Sequence, residues 1–186
     1  MAEYSFDRAV ICDRARTVDT LLANNFHFEN NCAVLSWDGY PEDVFDTVRS
    51  MLKRNPNLKV FALHDASYDG CMLATRLASD PAWFQGQVTV IDVGLRPRQA
   101  RPFDGLLLPA PEVPSGNVPG LDPQEQAWLR QYRLELAAIR PEQVVKRLFR
   151  ALTLDGRPVP DYGVDIDSDS FSTDAGMSDG GGDSFG

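Results

Sequence analysis

The chain has 186 residues, 43% hydrophobic and 24% charged, which supplies enough apolar mass for one globular domain with a real core and excludes a chain that is disordered throughout. Its net charge is −9, yet residues 155–186 hold eight Asp against one Arg and so carry −7 of it, leaving a body of only −2. That balance excludes a strongly basic nucleic-acid-binding domain, although it leaves room for a local basic patch.

Four short apolar runs, each leading to an aspartate, organise the first half: Ala9 to Asp13, Cys32 to Asp38, Val60 to Asp65 and Val88 to Asp92. The acids stand 25, 27 and 27 residues apart. Continuous β-branched runs without polar alternation predict strands covered on both faces, the mark of a parallel sheet. Between them, helices are expected over Thr17–Asn24, Glu42–Arg54 and Cys71–Ser79. In the second, Val44, Phe45, Val48, Met51 and Leu52 recur at helical spacing, with Pro41 suited to the first turn and Asn55-Pro56-Asn57 ending it. The alternation implies an α/β fold of three layers: a mainly parallel sheet of four to five strands with helices on both faces, over residues 1–110.

From Arg96 to Pro123 the chain is rich in proline, and only Leu106-Leu107-Leu108 reads as a fifth short strand, in an extension reaching residue 121. Residues 122–154 read as a C-terminal helical pair. Asp122 caps the first helix, with Pro123 in its first turn and Glu125 completing a capping box, and the helix is expected to run to Ile139. Arg140-Pro141 breaks the pattern before a second helix over Glu142–Leu152. The outer surfaces carry Arg130, Arg133, Arg140, Lys146, Arg147 and Arg150, either a solvated face or a partner or phosphate surface. Residues 155–186, made largely of Asp, Ser and Gly, read as a disordered acidic tail with Phe171 and Phe185 as candidate docking points.

Three widely spaced cysteines, Cys12, Cys32 and Cys71, sit among apolar residues as buried free thiols of a reducing compartment do. With His27 and His64 they make no zinc-type spacing. Met1 to Arg8 has no basic region leading into an apolar run, and no stretch approaches membrane-span length, so the expected location is cytoplasmic with no membrane partner.

Ligands of such sheets bind beyond the carboxyl ends of the strands, where the four aspartates fall. Several carboxylates there suit magnesium, a hard cation that prefers oxygen ligands; each singly also suits a helix cap or turn. His64 beside Asp65 reads as a proton shuttle or as a hydrogen-bonded core histidine, and His27 as packing. Trp37 and Tyr68 are candidates for lining a nucleotide-sized pocket or for simple packing. Arg96, Arg98 and Arg101 follow the fourth strand, where they suit either phosphate contact with a nucleic acid or an ordinary charged surface.

The segment from Val60 to Leu77 resembles the second half of a Toprim domain, the metal-binding unit of topoisomerases, bacterial primases and some nucleases. There an apolar strand runs into Asp-x-Asp-x-x-Gly and then a helix. Asp65 matches the first acid and Gly70 the glycine, while Ser67 stands at the second acid. In the first half of the pattern, Asp13-Arg14 stands where the family has Glu-Gly, with Asp19 opening the next helix. The resemblance covers about residues 9–93. It implies a weak magnesium site built from Asp13, Asp65 and Asp69, with Asp69 substituting for the missing acid, and Asp13 as the catalytic acid or base if the chain is active. Arg14 beside the acids is placed to neutralise them.

Three functional readings follow: a Toprim-like binding or regulatory subunit that has lost full catalytic competence and works with a protein partner in a larger assembly; a magnesium-dependent, nuclease-like phosphoryl-transfer enzyme; and a receiver-like or nucleotide-binding sheet. The usual dinucleotide and nucleoside-triphosphate glycine loops are missing.

Overall fold

A computed structural model of the chain describes residues 6–84, 86, 88–112, 116–155 and 157. The four apolar runs form strands β1 (Arg8–Cys12), β2 (Cys32–Ser36), β3 (Lys59–Leu63) and β4 (Val90–Gly94). All pair in parallel in the order β2-β1-β3-β4, as the expected α/β architecture requires. β4 begins two residues later than the sequence suggests, and Asp92 lies within it rather than after it.

Alternate residues of each strand face opposite layers. Val10, Cys12, Phe61 and Leu63 pack with Val18 and Leu21 of α1 (Ala15–Ala23) and with Phe26 of a short helix α2 (Phe26–Glu29). Ala9, Ile11, Val60 and Ala62 instead meet Val48 and Met51 of α3 (Glu42–Arg54) and Leu73 and Leu77 of α5 (Leu73–Ser79). A one-turn helix α4 (Tyr68–Cys71) precedes α5, so the single helix expected from Cys71 is two pieces. Phe61, Ile11, Leu21 and Leu77 have no accessible surface, and each such burial stabilises the fold by about 1.5–3 kcal/mol.

Leu106-Leu107-Leu108 does not add a fifth strand to this sheet. Leu106 ends a 3₁₀ turn (Arg101–Leu106), and the two-residue strand β5 (Leu108–Pro109) pairs antiparallel with β6 (Tyr132–Arg133) in a separate sheet. The same pairing corrects the helix expected to run to Ile139, because α6 (Pro123–Gln131) stops where Tyr132 and Arg133 turn extended. Leu134 then bonds Ala66 in both directions at 2.9 Å, and a 3₁₀ turn (Leu136–Ala138) follows. Tertiary hydrogen bonding therefore overrides the helical spacing of Trp128, Leu129, Tyr132 and Leu136. Asp122 caps α6 as expected, accepting from the Glu125 amide at 2.8 Å.

The last helix, α7 (Pro141–Leu154), buries Val144, Leu148 and Leu152 in the same cluster as β1 and β3. Cys12, Cys32 and Cys71 are buried free thiols, and burial pushes Cys32 up to about 12, far from reactive. Among the described residues no helix is long and apolar enough to cross a membrane. The tail expected over residues 155–186 lies outside the described residues apart from Asp155 and Arg157.

Candidate functional site

β1 leads to β2 on one side of the sheet, whereas β3 leads to β4 on the other. The order reverses between β1 and β3, and the crevice beyond their carboxyl ends is where open α/β sheets bind ligands. Asp13 and Asp65 are the residues placed there. A cleft of about 520 Å³ opens at Asp13, walled by Arg14, Trp37, Tyr68, Asp69, Arg76 and Glu135 among others; Asp65 does not line it. A wider depression of about 810 Å³ lies at the opposite, amino-terminal ends of the strands, around Arg8 and Lys59, away from every candidate site residue.

The sheet itself draws the two carboxylates together. Asp13 donates its amide to the Leu63 carbonyl at 3.2 Å, continuing the β1–β3 ladder past the strand ends. The Asp65 amide in turn donates to Asp13 Oδ2 at 3.0 Å. Asp65 is 1% exposed, and its Oδ1 accepts from the Leu136 amide at 2.8 Å. Its Oδ2 forms an ion pair of 2.7 Å with Arg14 Nε, and Arg14 Nη2 reaches Glu135 at 3.6 Å. Asp13 Oδ1 is buried without a hydrogen-bond partner.

These surroundings set the proton affinities. Burial first, and then the neighbouring Asp65 charge, push Asp13 up to about 6, against the Asp65 amide, His64 and Arg14, which pull it down. Burial raises Asp65 as well, while the Leu136 amide and Arg14 oppose it.

Asp69 does not join this pair. Its side chain, 77% exposed, lines the same cleft as Asp13 but pairs with Arg76 at 3.0 Å. Ser67 acts as the N-cap of α4, accepting from the Gly70 amide at 3.0 Å. Gly70 is required by close approach: a Cβ there would lie 2.3 Å from the Asp65 carbonyl oxygen. Asp38 is also elsewhere, accepting from Ser36 Oγ in the turn after β2.

Among the described residues, no three His, Cys, Asp or Glu side chains come together as a metal-binding group. Asp65 Oδ1 is bonded to a backbone amide, and Oδ2, which has no hydrogen-bond partner, is paired by charge with the Arg14 guanidinium. The centre is thus neutralised from within, a donor set that does not fit a divalent cation as it stands.

A second pair adjoins it, a buried histidine on a carboxylate whose side chain is 36% exposed. His64 is fully buried, with Nδ1 donating to the Asp65 carbonyl at 2.7 Å and Nε2 donating to Asp92 Oδ1 at 2.8 Å. Both partners are pure acceptors, so both ring nitrogens carry protons and the ring is an imidazolium. Burial alone lowers a histidine, but the Asp92 hydrogen bond and charge reverse this and carry His64 up to about 10. Burial raises Asp92, yet the His64 bond and charge and the Gly94 amide outweigh it and leave that carboxyl lowered. His64 is therefore an ion-paired core residue and not a shuttle poised at neutral pH.

Of the three arginines after β4, Arg96 is committed to the Gly120 carbonyl at 2.8 Å and to buried Glu125 at 3.3 Å. Arg98 and Arg101 are exposed. Sequence reasoning missed Glu135 and Leu136, which close the centre from 70 residues further along the chain; no local pattern marks them. No family model and no curated protein matches this chain.

Proposed function

We propose that the chain is a Toprim-like binding or regulatory subunit that lacks full catalytic competence and works with a protein partner in a larger assembly. The ion pair between Arg14 and Asp65 is the observation that carries this reading. It places a fixed cation on the carboxylate that a catalytic magnesium would need, and at 2% side-chain exposure that carboxylate has no second approach from solvent. Ser67, spent on capping α4, adds no charge to compensate. Magnesium binding is accordingly weak.

Asp13, raised to about 6, is the one feature that suits the alternative, a magnesium-dependent phosphoryl-transfer enzyme, because a carboxyl near neutrality serves general acid or base chemistry. Titration of magnesium and manganese into the full chain and into Asp65→Ala, with cleavage assays on single- and double-stranded DNA and RNA, separates the two. The expected result is weak metal binding and no metal-dependent cleavage. Robust cleavage by the wild type, abolished in Asp65→Ala, overturns the non-catalytic reading.

A further inference from the structure

The outer face of α7 is rich in cations. Val144, Leu148 and Leu152 turn inward, so Lys146 and Arg150, four residues apart, share the outward stripe, with Arg140 at the N-cap. All three are exposed. Between Arg140 and Leu154 there are four cations, including Arg147, against the single carboxylate of Glu142.

The stripe continues onto the neighbouring turn. Arg147 Nε donates to the Val93 carbonyl at 3.3 Å, and its Nη2 and the Gln99 side chain both crowd Gly94, so α7 abuts the turn that bears exposed Arg98. Phe149, 54% exposed, adds an apolar patch on the same helix. A body with a net charge of only −2 thus concentrates cations and an aromatic on the exposed surface of one helix.

We infer that this face binds the acidic segment 158–186 of the same chain. The segment has seven Asp and no Lys or Arg, with Phe171 and Phe185 among the acids. Charge and apolar character therefore match the face on both counts. It is also tethered to it, since it follows α7 directly. The 14-residue helix is about 21 Å long. The 29 residues of the segment can span roughly 95 Å, enough to run back along the whole helix to Arg98. Tethering makes the encounter intramolecular, at an effective concentration of order millimolar, so individually weak contacts suffice. A nucleic acid is the other polyanion such a face attracts, but it would have to compete with a covalently attached one. The inference does not depend on the Asp13–Asp65 centre.

The chain's three lysines, Lys53, Lys59 and Lys146, make a direct test possible. Zero-length carbodiimide coupling of the full chain at low salt, read by peptide mass spectrometry, reports which lysine touches which carboxylate. Lys59, ion-paired to Asp155, is the internal standard. The expected product is a monomer in which Lys146 is coupled to aspartates of 158–186. Raising salt about tenfold, or introducing Arg140→Glu with Arg150→Glu, should reduce that product at least several-fold while the Lys59–Asp155 product persists. Asp165→Asn with Asp167→Asn and Asp169→Asn provides a variant outside the folded body and should reduce it likewise. Coupling that favours Lys53, or ignores both charge variants, overturns the inference; so does a coupled dimer, which would assign the face to a second copy. Absence of the Lys146 product, together with retention of a labelled oligonucleotide that Arg140→Glu and Arg150→Glu abolish, would assign the face to nucleic acid instead.

Discussion

The backbone amide of Asp65 donates to the Asp13 carboxylate at 3.0 Å, joining the ends of the two central strands through a side chain where the ladder stops. Arg14 and the Leu136 amide then occupy the Asp65 carboxylate from two further segments. One buried carboxyl thereby knits together residues 13–14, 65 and 135–136. The expected behaviour of this knot is that of a structural centre.

Removing the guanidinium tests that expectation. Arg14→Ala leaves the Asp65 carboxylate with only the Leu136 amide, and the unpaired buried charge should cost about 1–3 kcal/mol, seen as a lower urea midpoint. Asp65→Asn combined with Arg14→Ala should lose less than the two changes separately, since the amide needs no counter-ion.

The pH response of Asp13 has a definite sign. Its carboxyl is raised from 3.8 to about 6, so the native state binds the proton more tightly than the unfolded chain. The stability it contributes is present below pH 4 and lost as pH rises through 6. Asp13→Asn, which keeps an acceptor for the Asp65 amide, should therefore be more stable than the wild type at pH 7 by about 1–2 kcal/mol, an advantage that vanishes near pH 4. Denaturant titrations at several pH values read this directly, and a constant difference across pH would refute it.

His64 provides the opposite partner to watch. With its pKa raised to about 10, the stability from its pairing with Asp92 is complete below pH 6.5 and is lost as pH rises through 10. The lowered Asp92 carboxyl adds stability above pH 3.8 that is lost on further acidification. Nitrogen-15 NMR should show both ring nitrogens protonated at pH 8. In Asp92→Asn the burial penalty loses its main opposing charge, and the ring should become neutral at that pH.

Gly70 carries a purely steric prediction. Gly70→Ala drives a Cβ to 2.3 Å from the Asp65 carbonyl, a backbone atom fixed by the β3 end, and α4 must shift to relieve it. A loss of about 3 kcal/mol is expected from thermal or denaturant unfolding. Ser67→Asp one turn away should cost little, since aspartate caps a helix as well as serine does.

The strands, α3 and the parallel architecture were legible in the sequence because their signal is local: apolar runs fully covered on both faces, and a helical stripe from Val44 to Leu52 with its own start and stop residues. The edge at which the acids gather was legible too, since parallel strands necessarily bring their carboxyl ends to one side. Which acids share a centre was decided only by tertiary structure. Strand order set Asp13 beside Asp65 and left Asp38 in a turn, while Asp69, at the rim of the same cleft, is paired with Arg76. The end of α6 at Gln131 was equally non-local, because β5 and Ala66, distant in sequence, supply the hydrogen-bond partners that make Tyr132 to Leu134 extended. Those same partners bring Glu135 and Leu136 over the carboxylates. Residue type and spacing fixed where carboxylates could gather; the free energy of satisfying buried backbone and charged groups decided which of them are neutralised and by what.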